Sequence, residues 1–385
     1  MVILYEAFPP SQRGLVLGLL LLAGSLGPTI GPSLGGYLVQ TYSWRAMFYL
    51  ALPTAVISLI LAPMVLPKRP RPARPALDLW GLLSMAIWVV ALLLAISQGQ
   101  RQGWNSTYIY SLFTIAAGFF VVFVWIECRR LQPFVDLRLY RNTRFVLASI
   151  AGMLFDSAFN SANFLSALML QQVFLFTPAH TGLILAPGAL VMGLVGVGAG
   201  RLADFKDPLW PILLGLFLQA TAMYALGQTT LFSGTLWLTF LVLIYRMSFG
   251  CVHSPLTKMI LSTLPPDRLS MGSGLDGIHR GFASAFGIAL GSVILERRTA
   301  MHVISLSETH ELSTTSVQEA IDATAITLQQ TGLSVTDPER HPLLVLWWQL
   351  LEQARVLAYQ ETFLVLSGVT LLALLPAIWA RREKP

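Results

Sequence analysis

The sequence predicts an all-α fold: a polytopic bundle of membrane-spanning helices. Three observations predict it. Of the 385 residues, 55% are hydrophobic and only 11% are charged, against roughly 25% charged in a soluble domain. The apolar residues fall into ten segments, most of them near or above the ~20 residues that cross a bilayer. The basic residues gather in short clusters between those segments, the pattern that sets membrane topology.

The ten segments are 14–40, 46–66, 80–97, 108–127, 145–174, 181–203, 209–227, 231–260, 272–295 and 359–380. Most connections are short. The exception is 296–358, expected as a long polar to amphipathic loop. It carries Glu308, Glu311, Glu319, Asp322 and Glu339 before an apolar patch at Trp347 and Trp348. With Met1 inside, seventeen of the 25 Lys and Arg residues face the cytoplasm and six face outside; Arg246 and Arg280 lie within segments. The bias puts both termini in the cytoplasm and the long loop outside.

Several function classes are excluded. The net charge of +6 is a topology signal and does not point to nucleic acid. Cys128 and Cys251 are far apart and have no metal-ligand spacing. No phosphate-binding glycine loop or nucleophile elbow is present, so neither an ATP-driven pump nor a membrane hydrolase is expected. No cofactor and no metal are called for. Residues Met1–Arg13 carry Glu6, Pro9 and Pro10 and do not read as a cleavable signal peptide.

The first segment is the most informative. Gly18, Gly27, Gly31, Pro32, Gly35 and Gly36 lie in GLLLLAGSLGPTIGPSLGG. Gly27, Gly31 and Gly35 recur every fourth residue, so they form one smooth stripe where another helix is expected to approach closely. Pro28 and Pro32 remove backbone donors and are expected to bend the helix. The ninth segment looks like a copy of the first. A shift of 256 residues lays Pro9, Pro10, Gly18, Leu19, Gly31, Leu34 and Gly35 on Pro265, Pro266, Gly274, Leu275, Gly287, Leu290 and Gly291. Parallel repeats of this kind relate the two halves of major facilitator transporters.

The six-position spacing of the first segment resembles the antiporter signature in the fifth helix of proton-coupled exporters of the major facilitator superfamily. PSLGGYLVQTYSWRAMFYLALP, DLWGLL at Asp78–Leu83, LMLQQVFLFTPAHTGLILAPGAL, YRMSFGCVHSPL at Tyr245–Leu256 and AYQETFLVLSGVTLLALLP narrow the resemblance. They are similar to successive junctions of the fourteen-helix drug:proton antiporters (EmrB/QacA type). The resemblance covers essentially the whole chain and implies an organisation. Residues 1–66 would close a first six-helix half, 67–127 would be two central extra helices and 128–144 a cytoplasmic linker. Residues 145–385 would be the second half. By the same resemblance, four helices that precede the signature in that family would be missing. The second copy of the family's loop motif is worn: Gly200, Leu202, Ala203 and Asp204 match, while Phe205, Asp207 and Pro208 depart from it.

Ionisable residues inside apolar helices are functional suspects, because burying them is costly. Asp156 lies about 16 Å into the fifth segment at 1.5 Å per residue, near the bilayer midplane. Asn160 and Asn163 follow at i+4 and i+7 on the same face. Asp156 is the candidate proton carrier. The resemblance makes Arg246 the counterpart of an arginine implicated in proton coupling. Arg246 is expected to pair with Asp156, and His253 lies seven residues on. Asp276 and Arg280 read as a local i,i+4 pair. Gln171 and Gln172 are expected on an exit path.

The resulting expectation is a proton-coupled secondary transporter of the inner membrane. It would export drugs or other lipophilic small molecules by alternating access, driven by the proton gradient. The resemblance implies the lipid bilayer, a lipophilic substrate and a periplasmic adaptor protein as partners. Two alternatives stay open. One is an inactive remnant or late-started reading frame of such a transporter; the other is a non-transporting membrane scaffold.

Overall fold

The computed structural model describes residues 8–65, 78–130, 135–265, 268–309 and 340–382. Helices are α1 (Arg13–Thr41), α2 (Arg45–Val65), α3 (Leu79–Gln102), α4 (Thr107–Arg129), α5 (Thr143–Gln172), α6 (Pro178–Phe205), α7 (Leu209–Leu226), α8 (Thr235–Ser262), α9 (Leu269–Thr309), α10 (Arg340–Leu372) and α11 (Leu374–Arg382). Each expected segment is helical. Eight of the helices are long and apolar enough to span a membrane, with α10 running on into α11 as one span; α1 and α2 carry shorter apolar stretches, Arg13–Ser25 and Ala51–Met64.

Local chemistry starts and stops the helices. Asp78 caps α3 by accepting from Gly81 N (2.9 Å), and Ser106 caps α4 by accepting from Ile109 N (3.3 Å). Asn142 accepts from Arg144 N and Phe145 N at the start of α5, and Thr177 accepts from His180 N before α6. These side chains satisfy amides that have no partner within the helix. Gly103 ends α3 at φ +81°, in the left-handed region that glycine enters without steric cost.

Helices α5 to α11 pack as one bundle around two buried clusters. One is built around Phe145, Phe155, Ile212, Leu216, Leu256 and Ile260. The other is built around Leu165, Leu170, Met223, Leu226, Tyr245 and Phe363. A buried polar link ties three helices: Ser248 Oγ donates to Gln219 Oε1 (3.1 Å), and Gln219 Nε2 donates to Thr370 Oγ1 (3.2 Å). α1 lies antiparallel along α6, and α2 packs mainly against α1. The α3–α4 hairpin joins the bundle through α9.

The expected loop at 296–358 is corrected. α9 runs on to Thr309 and α10 begins at Arg340, so helix occupies both ends of that stretch; residues 310–339 lie outside the described residues. Charge pairing holds the extension together. The Glu361 carboxylate of α10 forms an ion pair with Arg298 (3.3 Å) and faces His302 Nε2 (3.2 Å) of α9. Arg101 of α3 meets Glu296 of α9 at the same end (3.0 Å). At 41 residues, α9 is about 60 Å long, twice the ~30 Å apolar thickness of a bilayer. Polarity alone did not mark where the helix stops, because a helix leaving lipid becomes polar without unwinding.

Candidate functional site

The glycines of α1 divide into two sets. Gly14 and Gly18 meet the backbone of α6: a Cβ on Gly14 would collide with the Gly200 carbonyl, and one on Gly18 with Gly196 and Val197. Further along, a Cβ on Gly193 would meet Ser25 and Leu22, and one on Gly36 would meet Pro178 and Ala179. This seam is the close approach expected of small residues in membrane helices. The expected seam is corrected at Gly27 and Gly31. Among the described residues nothing lies within 4 Å of a Cβ built on Gly27 or Gly31; Gly31 borders a cavity, and so does Gly35. The side chains of Pro28 and Pro32 lie outside the described residues, and the helix is continuous through both.

Asp204 fastens the start of this seam. Its Oδ1 accepts from Gly14 N (2.8 Å) and its Oδ2 from Leu15 N (2.9 Å). Lys258 Nζ donates to Oδ1 (2.5 Å) and to the Ala203 carbonyl (2.9 Å). A buried carboxylate thus caps the positive end of α1 while a lysine balances its charge. Gly200, the other motif residue, supplies the backbone that Gly14 touches. Asp207, where the motif departs, pairs with Arg381 (2.7 Å) and accepts from Leu209 N (2.9 Å) at the start of α7.

The cavity has a volume of about 490 Å³ and lies between α1, α5, α6, α8 and α9. Gly31, Gly35 and Gly36 form one wall, and Asn160, Asn163 and Arg246 supply its polar groups. Arg246 is 6% exposed. Its Nη2 donates to Asn163 Oδ1 (2.5 Å), and the Tyr245 hydroxyl donates to the same oxygen (3.4 Å). Gly188 makes room for it: a Cβ there would meet the Arg246 side chain at 2.6 Å. Arg246 has no carboxylate partner among the described residues, so it presents a fixed positive charge beside the cavity. Gln171 lines the same cavity. Gln172 instead accepts from the Tyr359 hydroxyl (3.3 Å) and faces a larger cleft of about 1120 Å³ between α3, α5, α9 and α10.

Asp156 does not pair with Arg246; its partner is Arg280 of α9 (3.2 Å). Arg280 is the hub. Its Nε donates to Asp276 (2.9 Å), its Nη1 also meets His253 Nδ1 (2.8 Å), and its Nη2 donates to Thr257 Oγ1 (2.9 Å). The guanidinium has donors only, so His253 Nδ1 accepts, and the neutral ring carries its proton on Nε2. The cluster is buried and joins α5, α8 and α9. With both carboxylates ionised it holds two negative charges and one positive. Asn160 Nδ2 donates to the Asp156 carbonyl (2.8 Å), so the cavity and the cluster meet one turn apart along α5. The sequence read Arg280 as local because Asp276 sits four residues before it. The reach to Asp156, 124 residues away, left no periodic signal.

A bundle of spanning helices with a polar cavity and a buried ion cluster one helical turn from it has the build of a membrane transporter. The family model of the Major Facilitator Superfamily matches residues 1–288; the chain belongs to that superfamily and is an integral membrane protein. It is 29% identical over 304 residues to the uncharacterized MFS-type transporter YhcA of Bacillus subtilis, covering 78% of this chain and 57% of that protein. It is 32% identical over 291 residues to the multidrug resistance protein Stp of Mycobacterium tuberculosis, covering 75% and 54%. It is 26% identical over 384 residues to the multidrug export protein EmrB of Escherichia coli, covering 98% and 72%. The chain spans about half the length of YhcA and Stp.

Proposed function

We propose that this chain provides the second-half machinery of a proton-coupled secondary transporter that exports lipophilic small molecules. It lies in the inner membrane with both termini in the cytoplasm. The names of Stp and EmrB support drugs as the substrate class. The cavity bounded by Arg246, Asn160 and Asn163 holds the polar end of the substrate, and rocking of helices about it gives alternating access. A periplasmic adaptor belongs to the same reading, resting on the family resemblance.

One observation carries the coupling step. Asp156 and Asp276 share a single arginine in a buried site, so one negative charge is left for a proton to neutralise. Taking up the proton at Asp156 loosens its hold on Arg280 and so the contact between α5 and α9. Losing it restores that contact. Binding of one proton is thereby tied to the packing of helices that wall the cavity.

The test is efflux against pH in proteoliposomes for wild type and Asp156→Asn, with substrate binding measured in parallel. Asp156→Asn should retain binding within about threefold and lose gradient-driven efflux, because the amide cannot release a proton. Normal, pH-dependent efflux by that variant would assign the proton elsewhere. Cysteines introduced at the Arg101 end should react with impermeant reagents only from outside; labelling from the cytoplasm alone would reverse the orientation.

A further inference from the structure

Two arginines lie deep within spanning helices, and their surroundings differ. Arg280 meets two carboxylates, Asp156 and Asp276. Arg246 meets no carboxylate among the described residues, and it lines the cavity. An arginine cannot shed its charge in a protein. A charge held away from water is costly until an opposite charge joins it.

The atoms around Arg246 show where its charge is open. Nη2 is taken by Asn163 Oδ1, and Nε is closed off without a partner. Nη1 has no acceptor among the described residues and is not closed off; it is the part of the guanidinium that reaches the cavity. Asn163 adds a second donor. The guanidinium and the Tyr245 hydroxyl both donate to its oxygen. A guanidinium has donors only, so the amide must turn its oxygen to Arg246 and its Nδ2 to the other side. That nitrogen has no acceptor among the described residues either. The other polar side chains of the lining, Asn160, Gln171 and Thr181, are neutral, and no Asp, Glu, His or Lys borders the cavity. Asp156 and Asp276 are turned to Arg280.

A fixed positive charge, a second donor beside it and no carboxylate define the substrate. We propose that the cavity selects lipophilic organic anions, carboxylates above all. The inference rests on the reading of this cavity as the substrate site and adds the sign of the substrate's charge. The carboxylate accepts from Arg246 Nη1 and Asn163 Nδ2, and hydrogen bonds to an ionised group are the strong ones. The apolar body lies along the glycine wall of α1, between Phe164 and Leu185. The volume of about 490 Å³ falls within the roughly 300–1,000 Å³ of small-molecule sites. A lipophilic cation would meet like charge at the same spot and be repelled.

Three probes of one shape test the sign: naphthylacetate, its neutral amide naphthylacetamide and the cation naphthylethylammonium. Binding is measured by calorimetry at neutral pH, with the full chain in nanodiscs of zwitterionic lipid and empty nanodiscs as the blank. The carboxylate should bind about tenfold or more tightly than the amide, and the ammonium more weakly than either. Arg246→Gln should bring the ratio of carboxylate to amide affinity near one. Arg246→Lys keeps the charge and should keep part of the preference. Gly31→Leu should weaken carboxylate and amide together and leave their ratio as in the wild type, which places the binding in the cavity. Amide or ammonium bound as tightly as carboxylate by the wild type would overturn this inference and leave the cavity as the substrate site. A carboxylate preference that survives Arg246→Gln would also overturn it. Absence of binding by all three probes would overturn it together with the reading of the cavity on which it rests. Where Arg246→Gln does not fold, the wild-type ranking and Arg246→Lys decide.

Discussion

Two sets of glycines on α1 carry the same residue type to opposite ends, and Gly36, against the Pro178–Ala179 backbone, belongs with the first set. In the first set, Gly14 and Gly18 sit against the α6 backbone at Gly200 and Gly196. In the second set, Gly27 and Gly31 have open space where a side chain would go, and Gly31 and Gly35 border the cavity. Absence of a side chain lets backbones touch in the first case. In the second it leaves volume to the cavity. A glycine stripe therefore does not by itself identify a packing seam; what faces it decides.

Three substitutions sharpen the contrast. The largest effect belongs to Gly18→Leu. Its side chain would overlap the Gly196 and Val197 backbone, and backbone cannot move aside as a flexible side chain can. We expect loss of the α1–α6 contact and a cost beyond the ~1–3 kcal/mol typical of overpacking, because backbone on both sides must separate. It would be read as a fall in melting temperature, and in yield of folded protein, in detergent. An unchanged melting temperature would mean that the seam is not under steric constraint.

Asp204→Ala comes next. It removes the acceptor for Gly14 N and Leu15 N and leaves Lys258 buried without its partner. Breaking a buried pair by deleting one member costs about 3–5 kcal/mol. Lys258 is 16% exposed in its side chain and can turn partly toward water, so the lower end of that range is expected. Lys258→Met in the Asp204→Ala background should recover part of the loss. Failure to recover any would show that the helix cap, and not the ion pair, carries the stabilisation.

Gly31→Leu has the smallest effect on stability, within about 0.5 kcal/mol as for a site without a steric neighbour. Its effect falls on the cavity, where the added side chain displaces volume. Substrate affinity should drop while the melting temperature holds. A melting temperature shifted as far as that of Gly18→Leu would erase the distinction between the two sets of glycines.

Much of this site was legible in the sequence, and the missing parts share a cause. Gly18, Gly200 and Asp204 were singled out, and all three lie on the seam. Gly31, Gly35, Gly36, Asn160, Asn163 and Arg246 were singled out separately, and one cavity gathers them. Gly14, Gly193 and Gly196 went unmarked, although the spacing of Gly193, Gly196 and Gly200 on α6 carried the signal. Partners were misread more often than residues. Asp156 was matched to Arg246 by depth, and depth along a helix says nothing of the direction in which a side chain points around it.

By itself the sequence determined the helices, the membrane and the superfamily. Each of these follows from composition and from patterns within one stretch of chain: apolar runs, capping residues and fixed spacings. Tertiary structure decided which arginine Asp156 meets, which glycines touch backbone and where the helical extensions of α9 and α10 are held. Those contacts join residues far apart in the chain, such as Asp156 with Arg280, Gly14 with Asp204 or Arg298 with Glu361. They depend on the rotation and register of one helix against another, which packing of whole surfaces sets and no local period records.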